Sequence, residues 1–307
     1  MVMIASAAGV ANGFILALTG VTKSVGPLTA ACVSVFFGTP VMWVFFRPSL
    51  RSRWSVWMPS LLLGLSMGVN NLAYQNGLRW VQLQLLQPLS FLFSAIFLIG
   101  PRVVRDARSG RYSTAMWPVL AGLGIWLLSA DTAGGAGGRA FTDAIPRIQV
   151  LGLLVPDWGL GLGTLFLTAA TYAYYSRKME VFGKDVRGKI NTLAGIPCFV
   201  VLGLGALAFE SDWAGITDGY WLYLLICACS GMVLSLLNGV VMVWAFDRGL
   251  LASTTVMLSP LRTLLGTFLG MVAAHTAPGP LGLAAIGLIL VASLGAAVIQ
   301  SRQDGSE

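Results

Sequence analysis

From Pro27 to Phe46 the chain runs for 20 residues without a charge, and apolar stretches of this kind recur along its whole length. Crossing the hydrocarbon core of a bilayer takes about 20 apolar residues coiled as a helix. Backbone N–H and C=O groups that meet no water must bond one another, which leaves helices and closed barrels as spanning structures. The apolar runs here are continuous rather than alternating, so helices are expected. Charged residues make up 10% of the chain and apolar residues 56%. A soluble domain carries about 25% charged residues, so this chain lacks the polar surface to live in water.

About ten spans fit, at 2–22, 27–46, 56–77, 81–99, 115–130, 157–176, 190–209, 219–246, 253–275 and 279–299. The stretch from Met1 to Val21 has no Lys or Arg before it and is longer than a signal-peptide core, so it reads as a retained first span. A polar gap from Asp131 to Pro156 opens with Gly134, Gly135, Gly137 and Gly138 and reads as a flexible linker. Its apolar piece, Ile148 to Val155, is too short to cross. The expected architecture is an all-α integral membrane protein of ten helices. Residues 1–130 form a first five-helix half, 131–156 an outer linker, 157–300 a second half and 301–307 a cytoplasmic tail.

Lys and Arg mark the cytoplasmic side of membrane proteins. With alternating spans, one face collects 14 of them: Arg47, Arg51, Arg53, Arg102, Arg105, Arg108, Arg111, Arg177, Lys178, Lys184, Arg187, Lys189, Arg248 and Arg302. The other face has only Lys23, Arg79, Arg139 and Arg147. Both termini are therefore expected in the cytoplasm, in a cell (inner) membrane. The formal charge of +7 is a topology signal, and nucleic acid is not an expected partner. The tryptophans fall near span ends, where an amphipathic ring settles at the membrane interface. Tyr174 and Tyr175, beside Arg177 and Lys178, read as members of the same belt. Cys32, Cys198, Cys227 and Cys229 all sit in apolar stretches and read as small packing residues.

Two segments repeat. Ala73-Tyr74-Gln75-Asn76-Gly77-Leu78 followed by Pro88-Leu89 matches Ala245-Phe246-Asp247-Arg248-Gly249-Leu250 followed by Pro260-Leu261, at a constant offset of 172 residues. Because five is odd, equivalent helices in the two halves must run in opposite directions. Inverted repeats mark secondary transporters, whose substrate sites lie where the repeats meet. Pro88 and Pro260 free a carbonyl within their helices and are candidate hinges.

Amide and hydroxyl side chains are costly in lipid and gather around cavities or between helices. The candidate substrate-binding residues are Asn12, Asn70, Asn71, Tyr74, Gln84, Gln87, Ser90, Thr171, Tyr172, Asn238, Ser259 and Arg262. Arg262 lies about 13 Å into its helix at 1.5 Å per residue. Its guanidinium suits a carboxylate or phosphate; the alternative is that it snorkels to the surface. No Asp or Glu falls mid-span, so facilitated diffusion, or coupling carried by the substrate, fits better than a buried proton carrier. Gly64-x-x-x-Gly68, Gly159-x-x-x-Gly163 and Gly266-x-x-x-Gly270 read as intramolecular packing faces. One histidine and scattered acids do not make an active site, so a membrane-embedded transferase is disfavoured. No catalytic residue, metal or cofactor is expected, and the chain is expected as a monomer or homodimer.

Gly68-Val69-Asn70, Ala73-Tyr74, Pro88, Pro260, Ala121-Gly122-Leu123-Gly124-Ile125-Trp126 and the small-residue stretch Gly282 to Ala297 carry a family resemblance over nearly the whole chain. It resembles the drug/metabolite transporter superfamily, within it the EamA-like ten-helix transporters of the threonine/homoserine-exporter type. That resemblance implies export of amino acids or similar small amphipathic or anionic metabolites by alternating access. Multidrug efflux, or uptake, is the rival within transport. The chain departs from the family in having Gly100-Pro101-Arg102 where a Gly-Glu pair is common. It also has Ser259 where a Glu often precedes the second-half proline, with Gln87 at the corresponding place in the first half.

Overall fold

The computed structural model describes residues 26–51, 53–80, parts of 93–127, 147–150, 153–210, 220–249 and 279–304. Six long helices lie in them: α1 Pro27–Phe46, α2 Trp54–Trp80, α3 Asp157–Val181, α4 Lys184–Phe209, α5 Tyr220–Asp247 and α6 Pro280–Asp304. The expected spans 2–22 and 253–275 fall outside the described residues. α1 begins on Pro27, whose fixed φ and missing N–H suit a first helical position. It ends at Arg47, which turns left-handed at φ 42° and bonds its N–H back to Trp43 O at 2.9 Å. α4 starts at Lys184, six residues before the expected 190, which takes Arg187 and Lys189 out of the loop and into the helix.

The stretch expected as flexible linker and all-α surroundings is not helical at its end. Arg147–Val150 and Leu153–Pro156 pair as an antiparallel hairpin, β1–β2, with Ile148 opposite Val155. Ile, Val and Leu on both arms favour a strand, and a run too short to cross a membrane can satisfy its backbone this way.

Among the described residues α1, α4 and α5 are long and apolar enough to cross a membrane. A helix that is apolar all round is normally buried. Here Phe36 is 54% exposed, Val44 69%, Leu204 62% and Trp221 77%. Large apolar faces turned outward at this density fit a protein whose surroundings are lipid.

The chain divides into two compact units, and each draws on both halves of the sequence. The first comprises Met1–Gln75 with Thr171–Ala252. In it α1 and α4 run antiparallel: Leu28 meets Glu210, the Cys32 thiol lies by Phe199 O, Thr39 meets Gly195 and Phe46 covers Gly188. α5 runs parallel to α1, with Ala30 packed by Cys227, Ser34 against Gly231 and Met42 against Gly239. α2 runs parallel to α4, bringing Gly64 to Ala194, Gly68 to Val201 and Leu72 to Gly205. Leu63, Met179, Ile190, Val240, Val243 and Phe246 close one end of this bundle as a core.

Gly38-Thr39-Pro40 of α1 and Gly195-Ile196-Pro197 of α4 share a Gly-x-Pro pattern, 157 residues apart. The helices touch there: a Cβ on Gly195 would stand 3.0 Å from Thr39 Cγ2. α5 is interrupted by a π-turn at Ser235–Val240, which takes one residue more per turn than an α-helix. Gly68-Val69 matches Gly239-Val240, the last two residues of that turn, at an offset of 171, and Ala73 matches Ala245 at 172.

The second unit comprises Asn76–Ala170 with Ser253–Glu307. The Phe166 ring stands edge-on to Phe93 and Phe97, at 6.0 and 4.9 Å between centroids. The helical stretch within 116–127 packs antiparallel on α6, with Gly124 against Ala285 and Ile289 and Trp117 against Gly295.

Candidate functional site

Of the candidate substrate residues, Asn12, Gln84, Gln87, Ser90, Ser259 and Arg262 lie outside the described residues, as do the hinges Pro88 and Pro260. Asn70 and Thr171 are brought together: Asn70 Nδ2 donates to Thr171 Oγ1 at 3.1 Å. Ser66, one turn earlier on α2, donates its hydroxyl to Thr171 O at 3.1 Å. The antiparallel crossing of α2 and α3 sets up this pair, because i and i+4 on α2 share a face. Asn71 turns away, its amide donating to its own helix at Met67 O, 2.9 Å. Tyr172 is half-buried on the next position of α3, and Tyr74 stands half-buried on α2. Asn238 sits inside the π-turn of α5, where its carbonyl accepts from Val241 N–H. Such turns are common at functional sites.

Further along the same seam, Tyr175 donates its hydroxyl to Asn191 Oδ1 at 3.1 Å. This corrects the reading of Tyr175 as an interfacial ring: its hydroxyl ties α3 to a buried amide of α4. Asn191 is not among the candidate substrate residues named from the sequence.

Two charged contacts that sequence reasoning missed close the ends of the first unit. At one end α3 and α4 are joined only by Phe182 and Gly183. That tight turn hangs the last carbonyls of α3 over the first turn of α4. Arg187, with 5% of its side chain exposed, pairs with Asp247 at the end of α5. Its other terminal nitrogen donates to Phe182 O at 2.6 Å and Glu180 O at 3.3 Å. The guanidinium also faces the Phe246 ring at 5.9 Å, so both terminal nitrogens are bonded and its flat face is covered, while Nε is buried without a hydrogen-bond partner. A buried guanidinium requires such compensation.

At the other end Glu210 caps α1 from across the bundle. Its carboxylate accepts from Leu28 N–H at 2.6 Å, from Thr29 N–H at 2.9 Å and from the Thr29 hydroxyl at 2.7 Å. The first N–H groups of a helix have no partner within it and attract negative charge. Gly26 makes room: its φ is +84°, and a Cβ there would stand 2.6 Å from Glu210 Cδ.

Both contacts carried a sequence signal that counting by loops hides. Asp247 falls inside the repeated Ala-aromatic-x-x-Gly-Leu segment, and Glu210 directly ends an apolar span. Of the small-residue motifs, Gly64 and Gly68 lie against α4, whereas Gly163 has open space at its Cβ. Cys198 and Cys227 are buried and Cys32 is half-buried, as packing residues should be, whereas Cys229 is exposed and does not pack.

No protein-family model matches the chain, and no curated protein matches it. A solved crystal structure matches its fold over 98% of both chains, with a TM-score of 0.60 and 20% sequence identity. A likeness at that identity speaks to the fold alone.

Proposed function

We propose that the chain is a secondary transporter of the EamA-like kind in the drug/metabolite transporter superfamily. It crosses the cell membrane with ten helices arranged as two inverted five-helix repeats, both termini cytoplasmic. It exports amino acids or similar small amphipathic or anionic metabolites by alternating access. One observation carries the reading. Helices at equivalent places in the two sequence halves pack on each other antiparallel: α1 on α4 in the first unit, and 116–127 on α6 in the second. Opposed directions for equivalent helices are what an odd number of spans per half requires, and alternating access works by rocking such repeats about a central site.

The polar seam of Asn70, Thr171 and Tyr172, with Asn238 in its π-turn, supplies neutral hydrogen-bonding groups. Arg262 supplies the charge that would hold a substrate carboxylate. No metal or cofactor has a part in this mechanism.

Counterflow in proteoliposomes loaded with a panel of amino acids, organic anions and lipophilic cations tests it. Exchange of a zwitterion or anion is expected, with Arg262→Gln weakening it at least tenfold. Activity confined to lipophilic cations, or transport and affinity unchanged in Arg262→Gln, overturns the substrate assignment.

A further inference from the structure

A groove of about 820 Å³ opens on the outer side of the α1–α4 crossing. Its floor is the contact between Thr39 and Gly195, and its walls are Phe36 and Val44 from α1 with Ile196 and Phe199 from α4. That volume is within the range of small-molecule sites. The groove stands apart from the polar seam of α2 and α3, and its lining is almost wholly apolar.

Its ends differ. Along α1 the lining runs on through Trp43 to Arg47, the residue that terminates the helix. The same line on α4, 157 residues further, reads Val200 and Leu204. A surface meant only to touch lipid tails would need neither the indole nor the guanidinium, and the α4 line has neither. The cationic end is reinforced: Arg47 follows the C-terminal carbonyls of α1, which favour positive charge. Phe46 lies against Gly188, so the α4 turn bearing Lys184 and the exposed Lys189 is at the same end. An indole beside a cation at the end of an apolar channel is the pattern of the membrane interface.

We infer that this groove is a binding site for an anionic phospholipid of the leaflet on the Arg47 side. The acyl chains lie between Phe36, Val44, Ile196 and Phe199, and the phosphate is held by Arg47 beside Trp43. The inference rests on the chain being a membrane protein and is independent of what it transports.

The test is native mass spectrometry of the full-length protein in detergent, titrated with phosphatidylglycerol and with phosphatidylcholine of identical chains. Phosphatidylglycerol should bind about tenfold more tightly, the size of one charge-assisted contact. Arg47→Gln should bring it down to the phosphatidylcholine level. Arg53→Gln, which removes a charge from the following loop but outside the groove, should leave it unchanged. Val44→Trp, which fills the groove from an exposed position, should weaken both lipids. Equal binding of the two lipids, or equal loss in Arg47→Gln and Arg53→Gln, overturns the site in favour of unspecific surface charge. Counterflow activity measured on the same preparations keeps this outcome separate from the transport reading.

Discussion

The two ends of the α1–α4–α5 bundle are closed by different chemistry. At the Arg187 end, both members of the contact are charged, and the guanidinium is buried under Phe246 and the carbonyls of Glu180 and Phe182. At the Glu210 end a single charge is held by neutral donors, two backbone N–H groups and one hydroxyl. The first closure is all-or-none, because removing Asp247 strands the buried guanidinium in a low dielectric. The second is graded, because water can replace neutral donors one at a time. If the ends open in turn, as alternating access requires, they differ in what opening costs. The Glu210 end should open more readily.

The sharpest way to break that contrast uses the π-turn, which divides α5 between the two ends. Ala30 packs on Cys227 upstream of it, whereas Val243, Phe246 and Asp247 lie downstream. Inserting an alanine after Met242, in the regular helix just past that turn, should rotate everything downstream by about 100°. Asp247 would leave Arg187, and Val243 and Phe246 would leave the core. The expected loss exceeds ~5 kcal/mol, from a stranded buried ion with apolar burial added. Alkylation of a single cysteine placed at Val186 should accelerate sharply while Cys32, near the other end, reacts as before. Equal acceleration at both positions would mean that α5 moves as one rod.

Asp247→Ala removes the carboxylate and leaves the helix register intact. A loss of about 3–5 kcal/mol in detergent unfolding is expected. The double variant Arg187→Met with Asp247→Leu should recover most of it, since apolar replacement of a buried pair is often neutral. Recovery in the double variant with loss of transport would assign the pair to the transport cycle rather than to stability.

These closures explain how far the sequence could be read. Apolar run length marks helices well, and α1 spans the stretch its composition predicts, Pro27–Phe46. Charges near helix ends defeat the same reasoning. Hydropathy ends a span at the first cations, so Arg187 was counted with the loop, although α4 begins at Lys184 and buries it. Long side chains can bond backward over a helix start, and a window average does not see that. Nothing local to Glu210 reveals that α1 begins beside it, more than 180 residues away in sequence. The π-turn left no mark in composition, and the Gly-x-Pro match stands among dissimilar neighbours. The candidate site was legible as a set of amides. Only contact geometry separates Asn70, which reaches across to Thr171, from Asn71, which bonds its own helix.

At the graded end, Glu210→Ala should cost roughly 2 kcal/mol, since it removes the cap of α1 and leaves its N–H groups to water. Glu210→Gln keeps an acceptor and loses the charge, so about half of that is expected, and Thr29→Ala about 0.5–1 kcal/mol. A stepwise series measured by unfolding midpoint supports independent donors. A single large drop common to all three variants would make this end as cooperative as the other and erase the contrast.

The smallest effect on stability should come from the middle. Asn70 and Thr171 form one neutral hydrogen bond between helices, worth about 0.6 kcal/mol by double-mutant cycles in membrane proteins. That size separates two roles for the pair. As glue between α2 and α3, Asn70→Ala and Thr171→Val would lower stability slightly and leave transport kinetics alone, because a bond this weak cannot set a barrier. As the wall of a substrate cavity, the same variants would raise the substrate concentration for half-maximal counterflow at least fivefold. A polar group that loses its substrate partner costs more there than one that loses a helix neighbour. The proposed transport site requires the second pattern, a large kinetic change with a stability change under 1 kcal/mol. If unfolding and counterflow shift together at either closed end but only counterflow shifts here, the middle of the bundle is where substrate is held and the ends are what hold it shut.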